Sequence, residues 1–543
     1  MKNLKKVLAI LVVLVMVFSV VACGGTTTNN NTGNNNTTND NNTANDGGNN
    51  TADDGGATGG NTSTRDTLAI SCTSDSGTLD PMMLSLDIGY AMRMVYETLW
   101  DMDSVGNMVY LLATNLEIVE PTVWHVTLRE GVTFSNGNTF NAEDALFSIV
   151  KGCTTPGVPP YLTGFNAVDS KVLDEYKIEL VFDNYDLSIA AGMAALYIND
   201  MESYDEDAIS TTPIGTGPYV VTEYVINSHL YMERRDGYWG DQPSIKYMQF
   251  KVLAEDFQRV NAIQTGAVDV SSVPFQDLAY VESLDGVTVS LVDTTYGACV
   301  YFNLTDLSVF YENPDARKAV ALAIDNQAIV DIAYSGYAKP ARLPVSLAHI
   351  DWTDDLLDQG VYAMGYDLDA AKQLAESSGL VGAKLKVICS ASASDIAIGE
   401  IMQSGLREIG VDLEIVTVDA GSMLSIMNDP TEFDMHISGT SAPSMTIAQN
   451  YYAYTLYMVG GTFVTSPWQG RDRFLELIDG IMAITDQAEL QARYKELTAI
   501  HVDALPWYGI VDQQSANAYN SDLTGYERML FGNINYQKMA WSS

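Results

Sequence analysis

Trp124, Val126 and Leu128 alternate with His125, Thr127 and Arg129, which predicts a strand with one buried face. Ser135-Asn136-Gly137-Asn138 follows with residues that tolerate a positive φ, and predicts a turn. Asn141 then stands at an N-cap position, with Glu143 and Asp144 in the first turn, where the helix dipole favours acids. "NPDARKAVALAIDNQAIVDIA" (313–333) reads as helix from its Asn313 cap, Pro314 at the first helical position and apolar residues at helical spacing. In "DQAELQARYKELTAIHVDALPWY" (486–508), Asp486 and Glu489 form a capping-box pattern and Leu490, Tyr494 and Leu497 share one face. Lys246 to Val252, Lys384 to Cys389 and Leu413 to Val418 read as strands. Strands and helices mix along the chain, so the expected class is α/β.

The first 65 residues break this pattern. Lys2, Lys5 and Lys6, an apolar run from Val7 to Val17, and the small residues Ser19 and Ala22 form the three parts of a secretory signal peptide over 1–22. The run is too short for a comfortable membrane span, which needs about 20 residues. Val20-Val21-Ala22-Cys23 resembles the lipobox of bacterial lipoproteins, which makes Cys23 the expected lipidation site. From there to residue 65 the chain is almost all Asn, Thr, Gly, Ser, Ala and Asp, with too little apolar surface to offset the entropy of ordering. It reads as a disordered tether; as a flexible coil, residues 24 to 64 would span roughly 35 Å.

The rest of the chain is long enough for two to four domains. Its charge narrows the partners. The formal net charge is −41, and about −44 without the three signal lysines, so nucleic acid is a poor partner. Cys72, Cys153, Cys299 and Cys389 are far apart in sequence and form no CxxC pair; they leave open one or two disulfides or isolated buried thiols. The five histidines make no HExxH, and there is no GxSxG elbow or phosphate loop. No catalytic residue, metal site or cofactor is expected.

Five pieces in order carry a resemblance: "WHVTLREGVTFSNGNTFNAEDALFSI", "PIGTGPY" (213–219), "RRDGYWG" (234–240), "AIQTGAVDV" (262–270) and "DARKAVALAID" (315–325). Together they resemble the family 5 extracellular solute-binding proteins, the peptide, nickel and oligosaccharide receptors of ABC importers. The resemblance implies a two-lobed periplasmic-binding-protein-like fold with an additional domain and a ligand cleft between the lobes. It places lobe I at 66–103, 212–296 and 506–543, the extra domain at 104–211, and lobe II at 297–505. "GTGPY" is expected to turn a chain crossover, with Gly215 and Gly217 supplying backbone freedom and Tyr219 packing. Asp144 is expected to be a helix-start carboxylate, and Tyr238 and Trp239 packing aromatics.

The implied function is a monomeric lipoprotein on the outer face of a cell membrane, delivering a small solute, a peptide first, to the permease subunits of an ABC importer. Receptors for oligosaccharides or other uncharged solutes, a secreted hydrolase and a surface sensor are the alternatives. Relatives line the cleft near "TLDPMM", here with Thr78 and Leu79; at the Tyr296 to Asn303 crossover, here with Tyr296 and Tyr301; and after the "FDM" strand (433–435). In peptide receptors of the family an aspartate in this last segment pairs with the peptide's amino group. Here Met435 to Gly470 contains no Asp, Glu, Lys or Arg, where the overall 18% of charged residues would place about six. Either the stretch is buried core, or it is a cleft wall that reads ligand through Ser438, Thr440 and Ser441 hydroxyls, backbone groups such as those of Gly439, and the Tyr451, Tyr452 and Tyr454 rings. The second reading leads to the expectation that a free α-amino group is not the anchor.

Overall fold

The computed structural model describes residues 65–542 except 76, 83–90, 104–106, 156–161, 163, 185–187, 342–344, 355, 357–364, 419–425, 427–428, 440–445, 452–467, 485 and 529–533. The signal segment, Cys23 and the tether therefore lie outside the described residues, as do Thr440, Ser441, Tyr452 and Tyr454.

The strands are β1 (Thr67–Cys72), β2 (Trp100–Met102), β3 (Met108–Tyr110), β4 (Ala113–Glu120), β5 (Val123–Leu128), β6 (Lys171–Asp174) and β7 (Lys177–Val181). Next come β8 (Tyr219–Val225), β9 (His229–Arg234), β10 (Tyr247–Val252), β11 (Val270–Ser272), β12 (Val287–Phe302) and β13 (Ala338–Pro340). The last are β14 (Lys384–Ser390), β15 (Asp412–Val418), β16 (Met435–Gly439), β17 (Trp507–Asn520), β18 (Leu523–Thr524) and β19 (Ala540–Trp541). One long sheet runs β15-β14-β16-β12-β17-β11-β1-β10-β9-β8, with β13 beside β17; a separate sheet runs β4-β5-β7-β6.

Burial divides this framework into cores. Leu68, Ile70, Tyr219, Met248 and Phe250 pack with Leu523 and Met539, drawing on both ends of the described chain. Trp124, Val126 and Leu128 pack with Phe134, Phe140, Ile178 and Leu180. The period-two pattern of β5 thus supplies the inner face of the small sheet, as its sequence predicts. Leu99, Trp100 and Met102 join this second core, and the Trp100 indole donates to the Ala190 carbonyl at 2.9 Å. The largest core gathers residues 298–511. A fourth cluster, with Val260, Ile263, Leu278 and Val281, lies against Ala516 and Ala518 of β17.

Three local readings meet their physical explanation here. Helix α1 (Ala142–Thr154) starts at Asn141, whose side chain accepts from the Glu143 amide at 2.7 Å while Asp144 accepts from the Asn141 amide at 2.9 Å. The segment read as helical over 313–333 forms two helices, α2 (Pro314–Leu322) and α3 (Asn326–Ala333), because the Asp325 side chain accepts from the Ala328 amide and starts a new one. Helix α4 (Ala393–Glu408) packs over the break: a Cβ on Gly405 would sit 1.9 Å from the Ala323 carbonyl oxygen. Helix α5 (Gln487–Ala504) has Asp486 accepting from the Glu489 amide and buries Leu490, Tyr494 and Leu497.

The expectation for "GTGPY" needs correction. Gly215 and Gly217 are not at positive φ. They are required by close approach: a Cβ would lie 2.1 Å from the Val95 oxygen at Gly215 and 2.6 Å from the Met94 oxygen at Gly217. Arg235 clamps the same loop, donating to the carbonyls of Gly217 (2.7 Å), Thr216 (2.6 Å) and Thr133 (2.8 Å). Tyr238 and Trp239 pack as expected and also donate to the buried Glu97 carboxylate at 2.6 and 2.7 Å. Two separate sequence motifs therefore build one junction between the first and second cores.

Candidate functional site

The fourth cluster and the largest core are joined through β12 and β17, and both strands change character along their length. In β12, Val287 to Tyr296 is half-buried or exposed and Gly297 to Phe302 is buried; in β17, Trp507 to Val511 is buried and Asp512 to Ser515 is half-buried. Antiparallel pairing sets buried half against buried half.

The change falls on an irregular register. Asp293 faces Gln514, yet the next pair is Gly297 with Asp512, so β12 carries two more residues than its partner across this step. A further shift follows between Ala298/Val511 and Cys299/Gly509. On its other side β17 pairs with β13 over 511–513 and with β11 over 517–519, so residues 514–516 are bonded to β12 alone among the described strands. The Thr294 hydroxyl donates to the Gln513 carbonyl at 2.8 Å and accepts from the Tyr296 amide at 3.2 Å, which holds the extra residues in shape.

Directly opposed residues of an antiparallel pair share a face, as do residues two apart on a strand. Ser438 opposes Cys299, Gly297 opposes Asp512, and Lys339 opposes Asp512 from the other side. Ser438, Cys299, Gly297, Asp512 and Lys339 therefore line one face, and Asp293 with Gln514 extends it. Lys339 reaches Asp293 at 2.5 Å and the Gln514 amide donates to the same carboxylate at 2.7 Å. Burial raises the Asp293 pKa, but these two bonds outweigh it and leave the acid below its ordinary range. Asp512 goes the other way. Burial pushes its acid up to about 7, and Asp293 adds to this, against hydrogen bonds from the Leu347 amide and Ser346 hydroxyl and the charge of Lys339. The Ser346 hydroxyl is also 3.0 Å from the Thr294 carbonyl, and the buried His349 ring donates to the Ser346 carbonyl at 2.7 Å.

The residues expected from sequence distribute unevenly around this face. Ser438 lies on it, half-buried; Gly439, which opposes Ala298, lies on the reverse. Tyr296 sits in the irregular step and is 42% exposed. Tyr301 shares the face but lies deeper, 4% exposed and stacked on His436 at 4.7 Å. Tyr451 is fully buried with its hydroxyl 3.1 Å from that of Thr498. Leu79 is buried in the first core and its amide donates to the Ser210 carbonyl at 2.9 Å, while the half-buried Thr78 hydroxyl accepts from the Asp80 amide at 3.1 Å. Sequence reasoning missed Asp512, Lys339 and Asp293. The available signal was the acid that interrupts "WYGIVDQQ" directly after an apolar run.

Other chemistry is limited. Among the described residues no group of three or more His, Cys, Asp or Glu side chains could hold a metal ion, and no disulfide joins Cys72, Cys153, Cys299 or Cys389. No helix among them is long and apolar enough to cross a membrane. A groove of about 390 Å³ lined by Ser135, Asn136, Thr211, Thr212 and Glu223 lies where the second core meets β8, away from the β12/β17 crossing.

Comparison with known proteins fits this geometry. The glutathione-binding protein GsiB of Shigella dysenteriae serotype 1 is 21% identical over 486 residues, covering 84% of this chain and 91% of that one. The substrate-binding protein CtaP of Listeria monocytogenes superposes with a TM-score of 0.77 at 21% identity, covering 88% of this chain and 100% of that one. The oligopeptide-binding protein AppA of Bacillus subtilis, in complex with a nonapeptide, gives 0.70 at 16% identity, with 88% and 99% covered. These neighbours share the two-lobed α/β fold. Residues 107–461 match the bacterial extracellular solute-binding proteins, family 5 Middle, and the chain belongs to that family.

Proposed function

We propose that this chain is the ligand-capturing lipoprotein of an ABC importer, held to the outer face of a cell membrane by a lipid on Cys23 and handing a small solute, a peptide in the first instance, to the permease. The lobes are 66–103 with 212–296 and 506–543, and 297–505; the domain at 104–211 is an addition to the first. Ligand binds between the lobes and favours the closed arrangement through contacts made only there. The protein performs no covalent chemistry in this reading and acts as a monomer.

The observation that carries the proposal is the β12/β17 crossing. Its two strands pass from the fourth cluster into the largest core and lose regular pairing at the step from Asp293 to Gly297. A place where few backbone bonds must change is where a hinge costs least. Support for a peptide comes from the relatives, one a glutathione-binding protein and another holding a nonapeptide. A second reading, an oligosaccharide or other uncharged solute, draws on the uncharged stretch from Met435 to Gly470.

Native mass spectrometry of the purified protein, followed by identification of whatever small molecule travels with it, tests the assignment. A retained peptide is expected. A retained sugar would establish the second reading, and turnover of the captured molecule would overturn the whole assignment.

A further inference from the structure

We propose that the groove between β8 and the second core is a further binding site, separate from the solute cleft, and that it takes a neutral saccharide. The proposal does not depend on which solute is captured, and its failure would leave the receptor reading standing.

The fold puts this groove at an edge. β8 is the last strand of the long sheet, five strand spacings from β17, or roughly 24 Å at about 4.8 Å each. Its pairing with β9 is irregular: Val221 faces Met232 and Glu223 faces Tyr231, so Thr222 is the extra residue of a bulge. A bulge re-aims a side chain and spoils the edge for strand addition, which argues against an extended peptide here. The Ser135-Asn136 turn and residues 211–214 complete the lining. Asn136 and Asn138 fix that turn by donating to the buried Asp200 carboxylate at 2.6 and 2.8 Å, and the Ser203 hydroxyl donates to the same oxygen at 2.6 Å. This wall is therefore set before any ligand arrives.

The volume of about 390 Å³ falls within the range of small-molecule sites, roughly 300–1,000 Å³. The groove shares Thr212 and Ile214 with a recess of about 90 Å³ lined by Asn199 and Asp200. Asn199 is 1% exposed, and among the described residues nothing donates to its Oδ1. A buried acceptor without a donor is costly, and the recess is the space from which a hydroxyl can supply one.

The lining names the ligand class. Among the described residues the hydroxyls of Ser135, Thr211, Thr212 and Thr222 bond to no protein group, and each can both donate and accept. The exposed Glu223 carboxylate only accepts, which suits a pair of adjacent hydroxyls. No Lys or Arg is among the described residues that line the groove or the recess, so a phosphate, uronate or peptide carboxylate finds no partner. Ile214 and Val220, both half-buried, offer apolar surface to the C–H face of a ring. A ligand rich in hydroxyls, without negative charge and with one apolar face matches this set, and a neutral pyranose has all three properties.

Saturation-transfer difference NMR on the mature protein tests the site, with maltose, N,N′-diacetylchitobiose and their tetrasaccharide homologues as probes and digalacturonic acid as the charged control. Wild type is expected to bind at least one neutral sugar about tenfold or more tightly than the control. Thr212→Val combined with Glu223→Ala, both at exposed positions, is expected to weaken that binding at least fivefold. Tighter binding of a tetrasaccharide than of its disaccharide marks a glycan chain as the source and equal binding a free sugar; either supports the site when the variant weakens it. Binding unchanged in the variant places the sugar elsewhere, the solute cleft included, and overturns the proposal. Binding of no neutral sugar by wild type, or a preference for the acidic one, overturns it too. If the variant does not fold, Ser135→Ala with Thr222→Val replaces it and the same outcomes decide.

Discussion

At the scale of single residues, what was legible in the sequence was local. Asn141 and Asp144 are three positions apart and form their reciprocal bonds without help from the rest of the chain, so the cap could be read directly. The second Asp144 oxygen accepts from the Met201 amide at 2.9 Å, a contact across 57 positions that no local pattern reveals. Burial pushes this acid up to about 6, with bonds from Met201 and Asn141 acting against it. A carboxyl raised from 3.8 to about 6 binds its proton more tightly in the folded chain, so its contribution to stability grows as pH falls through 6 towards 4 and is lost above 6. Urea unfolding of wild type and Asp144→Asn should show the balance moving towards wild type between about pH 7 and pH 5; a difference independent of pH would contradict this. The reason for Gly215 was misread because its constraint is the Val95 carbonyl, 120 residues away in sequence, not its own φ. Gly215→Ala should therefore destabilise by about 3 kcal/mol through overpacking, while Gly286→Ala, at φ +76 with open space around its Cβ, should cost only about 1 kcal/mol for the left-handed backbone. Similar losses in denaturant titrations of the two variants would remove the distinction.

Elements show where local reading ends. Strand β5 and helices α1 and α5 follow from periodicity and caps within single segments. The break between α2 and α3 turns on one side chain, Asp325, inside an otherwise continuous helical pattern. The crossing was legible only through family resemblance, since its register joins residues more than 200 positions apart. This also explains why Asp512 and Lys339 escaped notice: nothing near either in sequence indicates that β13 and β17 meet. The candidate face thus took Ser438 from the sequence and its charged half from topology. If the crossing is a hinge, its backbone should open more readily than the strands on either side. Amide hydrogen exchange should be faster at residues 294–296 and 514–516 than at 298–302 and 507–511. Uniform protection along both strands would rule out a flexible step.

At the scale of the whole molecule, the proposed receptor combines a lipid on Cys23, a polar tether and two lobes that close on ligand. Cys23→Ser should release the protein into the medium or leave it as unprocessed precursor, without fatty-acid label. Label retained in that variant would place the lipid elsewhere. If Cys23 carries a lipid, the remaining chain, at about −44 without the three signal lysines, is repelled by an anionic lipid surface of the same sign. Capture in this reading requires the lobes to close, and small-angle scattering of the mature protein, with and without a solute whose binding has been shown by calorimetry, measures that closure. A smaller radius of gyration is expected when the solute is bound; an unchanged radius with binding demonstrated in the same sample would rule out capture by closure.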